Sequence, residues 1–184
     1  HTGFKGSWLT MWLHILGAKI VAISKDVPTS PSHFENFDNI VSLDKRFDLY
    51  NIDKLQEIIN NERPDFVFHL AAQPLVLESY KKPYKTFFTN IMGTVNILES
   101  VKNLDPTIPT IVVTTDKVYS NKKNKKYKED DILDGIDPYS TSKVCAENVS
   151  KSYSKLGLKI ITARAGNIIG GGDWSKNRKI PDII

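Results

Sequence analysis

The stretch His1-Thr2-Gly3-Phe4-Lys5-Gly6-Ser7-Trp8 sets two glycines three residues apart, directly before a run with helical character. Glycines at this spacing let backbone approach a pyrophosphate and let a helix pack closely on a strand. The free N–H groups and positive potential of the helix N-terminus then favour an anion. The same pattern also fits a plain turn entering a helix, so its meaning depends on the rest of the chain.

Past Gly6 the chain alternates between helical and extended patterns. Gly6 to Leu16 reads as a helix stopped by Gly17, and Lys19 to Ile23 as a short β-rich run. Ile52 to Asn61 has helical periodicity, and Phe66 to Leu70 is an apolar strand after Pro64. Pro83 to Asn103 reads as one long amphipathic helix with proline near its start. Ile111 to Thr115 is a β-branched strand, Tyr139 to Leu156 a helix, and Lys159 to Ala163 a further strand. Strands separated by helices imply βαβ units. The expected fold is therefore α/β, a Rossmann-type doubly wound parallel sheet.

The chain has 184 residues, 40% hydrophobic residues and a formal charge of +4. This suits an ordinary globular domain, and the mild charge does not suggest nucleic-acid binding. The single cysteine, Cys145, excludes an intrachain disulfide framework and suits a reducing compartment, so a cytoplasmic location is expected. The four histidines show no metal-ligand spacing, so no metal is expected. No signal peptide is visible, and the most apolar stretch, Trp8 to Ile23, is broken by His14, Gly17 and Lys19, which argues against a membrane span. The opening on a phosphate-loop pattern and the apolar run Ile180 to Ile184 suggest truncation at both ends. The first strand and most of a C-terminal substrate domain would then be missing.

Two further segments carry chemistry. Tyr139 and Lys143 lie four apart and share one helix face; a nearby ammonium favours a phenolate, which makes Tyr139 a candidate general base. A surface helix would carry the same pair by chance. Thr114-Thr115-Asp116-Lys117 ends a strand, where open parallel sheets bind ligands, although a charged turn reads the same way. The lysine run Lys122 to Lys128 reads as a solvated loop. His69 reads as structural, Cys145 as helix interior, and Trp8 and Trp12 as packing residues.

In this order and spacing the segments resemble the extended short-chain dehydrogenase/reductases, and within them the nucleotide-sugar 4,6-dehydratases of the CDP-glucose branch. The resemblance runs through HTGFKGSW, FHLAAQPLV at 68–76, TNIMGTVNILE at 89–99, TTDKVY at 114–119, DPYSTSK at 137–143 and ARAGNIIGGGDW at 163–174. The first and last of these are particular to that branch. The resemblance implies an NAD-binding domain over 1–164 and the start of a substrate-binding part over 165–184.

The same resemblance implies the roles of individual residues. Thr2, Gly3, Phe4, Lys5 and Gly6 would hold the pyrophosphate, and Asp48 with Leu49 would flank adenine. Leu70, Ala71, Ala72, Gln73, Thr89 and Ala165 would line the dinucleotide, and Asn90 would support the site. Tyr139 and Lys143 would be the oxidation pair, Lys143 also bonding the nicotinamide ribose. Thr115, Asp116 and Lys117 would act on the sugar, and Asn167 and Arg178 would contact the diphosphate of CDP-glucose. Ser24-Lys25-Asp26 stands where many relatives carry a ribose-binding acid. A homodimer through the 83–103 and 139–156 helices is also implied. The competing readings are another nucleotide-sugar dehydratase, an epimerase, or a non-catalytic NAD-binding sensor. Asp116 with Lys117 argues against an epimerase, and the intact Tyr139–Lys143 pair against a sensor.

Overall fold

The computed structural model describes residues 1–120 and 126–176. The chain forms two compact units, one of His1–Asp48 with Asn167–Ile184, the other of Leu49–Gly166.

In the first unit, helix α1 (Phe4–Ile15) precedes strand β1 (Val21–Ser24), which pairs in parallel with β2 (Leu43–Arg46). Helix α1 starts two residues earlier than its glycines suggest, so Phe4, Lys5 and Gly6 form its first turn rather than a loop. It is closed by Gly17 at φ +82°, a left-handed conformation that glycine adopts without a Cβ penalty. Strand β2 has the sequence LDKR and reads as surface; its pairing with β1 is what makes it a strand.

The second unit is built on a three-stranded parallel sheet of order β3 (Val67–His69), β4 (Thr110–Thr115), β5 (Ile160–Ala165). Strand β4 is central, with Val112 fully buried. Helix α2 (Ile52–Glu62) is capped by Asn51, whose side chain accepts from the Lys54 amide at 3.0 Å, and it buries Leu55 and Ile59. It packs on α5 (Gly93–Leu104), which contributes the fully buried Leu98 and Val101. Helix α6 (Pro138–Lys155) packs against α5, β4 and β5. Its start is doubly specified: Pro138 occupies the first turn, and the Asp137 carboxylate accepts from the Tyr139 and Ser140 amides, each at 3.0 Å.

The expected long helix over Pro83 to Asn103 is present as an unbroken helical run to Leu104, with one local change of pitch. After the short α3 (Val76–Lys81) come α4 (Pro83–Phe87), one wide π turn at Phe88–Met92, and then α5. The wide turn carries Asn90, buried to 1 % exposure, whose amide bonds hold other segments. Apolar periodicity does not encode an extra residue in a turn, so the sequence reads as continuous. No helix among the described residues is long and apolar enough to cross a membrane.

Candidate functional site

In the first unit, Gly3 caps α1 in an extended conformation, φ −79° and ψ 164°, with no side-chain cap and no acidic residue in the first turn. The first-turn N–H groups of an α-helix have no intrahelical acceptor and favour an anion. A Cβ on Gly3 would meet no atom within 4 Å, so its backbone is open to close approach. A Cβ on Gly6 would lie 2.9 Å from His1 Cα, so the helix must present glycine there. Thr2 is buried and donates to the Asp26 carbonyl at 2.7 Å, tying this turn to the end of β1. These features fit a pyrophosphate.

Beyond β1, the Lys25 ammonium pairs with Asp48 at 2.8 Å. Ser24 shares a 2.7 Å hydrogen bond with the His1 ring.

In the second unit, the strand ends converge. Thr115 and Ala165 are register partners on β4 and β5, so Asp116 and Gly166 come next, side by side. A Cβ on Gly166 would stand 3.5 Å from Asp116 Oδ2, an ordinary contact. Thr115 is buried and donates to Asp116 Oδ1 at 3.2 Å, while its Oγ1 accepts from the Lys117 amide at 3.3 Å. The Asp116 and Lys117 side chains belong to exposed residues. From α6, buried Lys143 donates to the Val113 carbonyl at 3.0 Å. Tyr139 lies one turn earlier on the same helix and is also buried.

Several residues hold this arrangement. Asn90 accepts from the Gln73 amide at 2.8 Å and donates to the Gln73 carbonyl at 3.1 Å and to Ser142 Oγ at 2.8 Å. Ser142 in turn donates to the Tyr139 carbonyl at 2.6 Å. The segment after β3 is thereby fastened to the turn between Tyr139 and Lys143. The Gln73 side chain braces its own loop, donating to Leu75 O and Thr86 Oγ1 at 3.1 and 2.9 Å. Thr89 shares a 2.6 Å hydrogen bond with Tyr50, and Leu49 packs on Gly93. His69 is buried, 3.1 Å from Thr94 Oγ1. Burial, with the Lys143 charge adding, pushes its pKa down to about 3.

Beneath β4, Glu147 and Arg164 form a two-pronged ion pair, with both contacts at 3.0 Å. Thr114 donates to the same carboxylate at 2.5 Å, and Arg164 also donates to Tyr119 at 3.0 Å. Burial raises the Glu147 pKa, but hydrogen bonds from Arg164, Thr114 and Thr162 outweigh it and hold the group below its usual value. Sequence reasoning missed this pair and Ser142. The available signal was an acid in mid-helix and a base in mid-strand, which does not reveal that they meet.

Cys145 is half-buried in α6. Trp12 is 67% exposed, which corrects its reading as a packing residue; Trp8 stacks on His33. Among the described residues no cluster of His, Cys, Asp and Glu could hold a metal. Arg178, Lys122–Lys125 and Ile180–Ile184 lie outside the described residues.

An open parallel sheet with a Tyr-x-x-x-Lys helix beside a Thr-Asp-Lys strand end defines a dehydrogenase-type α/β domain. The family model described as GDP-mannose 4,6 dehydratase matches residues 1–184, and the chain belongs to that family. It is 44% identical to the CDP-glucose 4,6-dehydratase of Salmonella typhimurium, over 100% of this chain and 55% of that one. It is 34% identical to the dTDP-D-glucose 4,6-dehydratase of Dictyostelium discoideum, over 99% of this chain and 45% of that one. The dTDP-glucose 4,6-dehydratase structure from Bacillus anthracis, solved in complex with NAD, superposes with a TM-score of 0.81 at 26% identity. That match covers 99% of this chain and 57% of the other. The chain thus spans about half the length of the curated relatives it matches.

Proposed function

We propose that this chain carries the dinucleotide-binding and proton-transfer residues of an NAD-dependent CDP-glucose 4,6-dehydratase, a hydro-lyase. One observation carries the reading. Lys143 of α6 is bonded to Val113 of β4, and that strand leads directly into Asp116 and Lys117, so the helix of the oxidation pair is tied to the strand that presents the elimination pair.

NAD, when bound, would take the hydride from sugar C4 and give it back at C6 once the 6-hydroxyl has left, ending as it began. Around it, the Thr2–Gly6 turn accepts the pyrophosphate, and Asp48 with Leu49 flanks adenine. Leu70, Ala71, Ala72, Gln73, Thr89 and Ala165 line the dinucleotide. Tyr139 removes the O4 proton, and Lys143 favours the phenolate and bonds the ribose. Thr115 holds O4. The 4-ketone acidifies the C5 proton, which Lys117 removes while Asp116 protonates the departing 6-hydroxyl. The protein contributes position and proton transfer. Asn167 and Arg178 contact the substrate diphosphate, residues 1–164 form the NAD-binding domain, and 165–184 begin the substrate-binding part. Two copies pair through the 83–103 and 139–156 segments, in the cytoplasm.

The test is to mix the full-length protein with CDP-glucose and record the alkali-induced absorbance of a 4-keto sugar. Its absence with CDP-glucose, and its appearance with another sugar nucleotide, would reassign the substrate.

A further inference from the structure

The opening HTGFKGSW stretch and Gly170-Gly171-Gly172 of the ARAGNIIGGGDW motif meet in the first unit. The Trp8 indole N–H donates to the Gly171 carbonyl at 3.0 Å. A Cβ on Gly170 would stand 3.3 Å from Phe4 Cζ, tighter than ordinary contact. Gly172 has φ +81°, and a Cβ there would lie 2.6 Å from His33 Cδ2. His33 is itself fixed: its ring stacks on Trp8 at 4.4 Å between centroids, and its Nδ1 is 2.8 Å from Ser7 Oγ. Gly170 and the Gly171 carbonyl thus lie against the first two turns of α1, and Gly172 lies against His33, with Gly170 and Gly172 leaving no room for a larger residue.

We propose that Gly170-Gly171-Gly172 is a strap that retains the dinucleotide, with Trp8 and His33 as its positioning residues. Phe4 belongs to the turn proposed above to hold the pyrophosphate, and Gly170 lies on the Phe4 ring and on the Trp8 indole one turn further along. A peptide fastened over that turn must lift before the pyrophosphate can leave. An enzyme whose cofactor is regenerated in every cycle gains from slow release. Trp8 reaches the strap by a donor that phenylalanine lacks, and glycine is required at 172 by both φ and His33. The inference rests on the proposed use of NAD.

The test is the rate of NAD release from the NAD-loaded full-length enzyme, chased with excess labelled NAD. Trp8→Phe keeps the ring over His33 but removes the donor, and should release NAD roughly five-fold faster, the weight of one net hydrogen bond. Gly172→Ala should accelerate release by on the order of tenfold or more, because an L side chain is strained there. Trp12→Phe, the same type of change one turn on at an exposed position, should leave the rate unchanged. Where Gly172→Ala fails to fold, Trp8→Phe decides alone. Wild-type release rates in Trp8→Phe, or equal acceleration in Trp12→Phe, overturn the strap while leaving the NAD reading intact. A wild-type enzyme that holds no NAD overturns both.

Discussion

The Lys143 ammonium donates to the Val113 carbonyl at 3.0 Å, joining helix α6 to β4 across thirty positions of sequence. A buried ammonium needs such an acceptor, and the bond fixes where the rest of the lysine face of α6 stands. Tyr139 shares that face. Tyr139→Phe should therefore keep the packing and remove only the proton acceptor. Turnover should fall roughly 10²–10⁴-fold with NAD affinity close to wild type. Calorimetry with NAD and a 4-keto-sugar assay on the full-length enzyme check both halves.

Lys117 should act after oxidation. It lies in the turn that follows β4, not on the Tyr139–Lys143 helix, and its backbone is pinned by Thr115 Oγ1. Lys117→Ala should still reduce bound dinucleotide in the presence of substrate. It should exchange the C5 proton with deuterated solvent far more slowly than wild type. Unchanged C5 exchange with lost dinucleotide reduction would move Lys117 to the oxidation step.

The Glu147–Arg164 pair is a support for β4 and β5. Arg164→Met leaves a carboxylate almost without solvent contact and without its partner, which should cost about 3 kcal/mol of stability by urea unfolding. Glu147→Leu combined with Arg164→Met should recover part of that loss, since no unpaired charge then remains buried.

His69 should make stability depend on acid. Its folded pKa is about 3 against an ordinary 6.5, so the unfolded state binds the extra proton between those values. Stability from this group is therefore present above pH 6.5 and is lost as pH falls toward 3. Compared with His69→Asn, the wild type should lose up to about 1.4 kcal/mol more per pH unit in that window. Urea unfolding of both proteins at a series of pH values reads the difference.

The Lys25–Asp48 pair bears on cofactor choice. With Lys25 engaged by Asp48 at 2.8 Å, a 2′-phosphate gains no uncommitted cation there. The full-length enzyme should bind NAD more tightly than NADP, and Asp48→Asn should narrow that preference by releasing Lys25. Tighter wild-type binding of NADP by calorimetry would refute it.

The sequence alone determined the α/β alternation, because β-branched runs such as Ile111–Thr115 and periodic helices such as Ile52–Asn61 are local properties. It also determined the start of α6, since Asp137, Pro138 and Ser140 cap it within four residues. The chemistry-bearing segments were legible for the same reason: Tyr139 and Lys143 share a face by spacing alone. Strand β2 was not legible, because LDKR becomes a strand only through its pairing with β1. The π turn at Phe88–Met92 was hidden because apolar periodicity does not mark an extra residue in a turn, and the partners of its Asn90, Gln73 and Ser142, are distant in the chain. The Thr115–Ala165 register, the Glu147–Arg164 pair and the seat of Gly170–Gly172 on Phe4, Trp8 and His33 were decided by tertiary structure alone. Each joins residues far apart in the chain, and their meeting depends on strand order and helix packing, which no local pattern encodes.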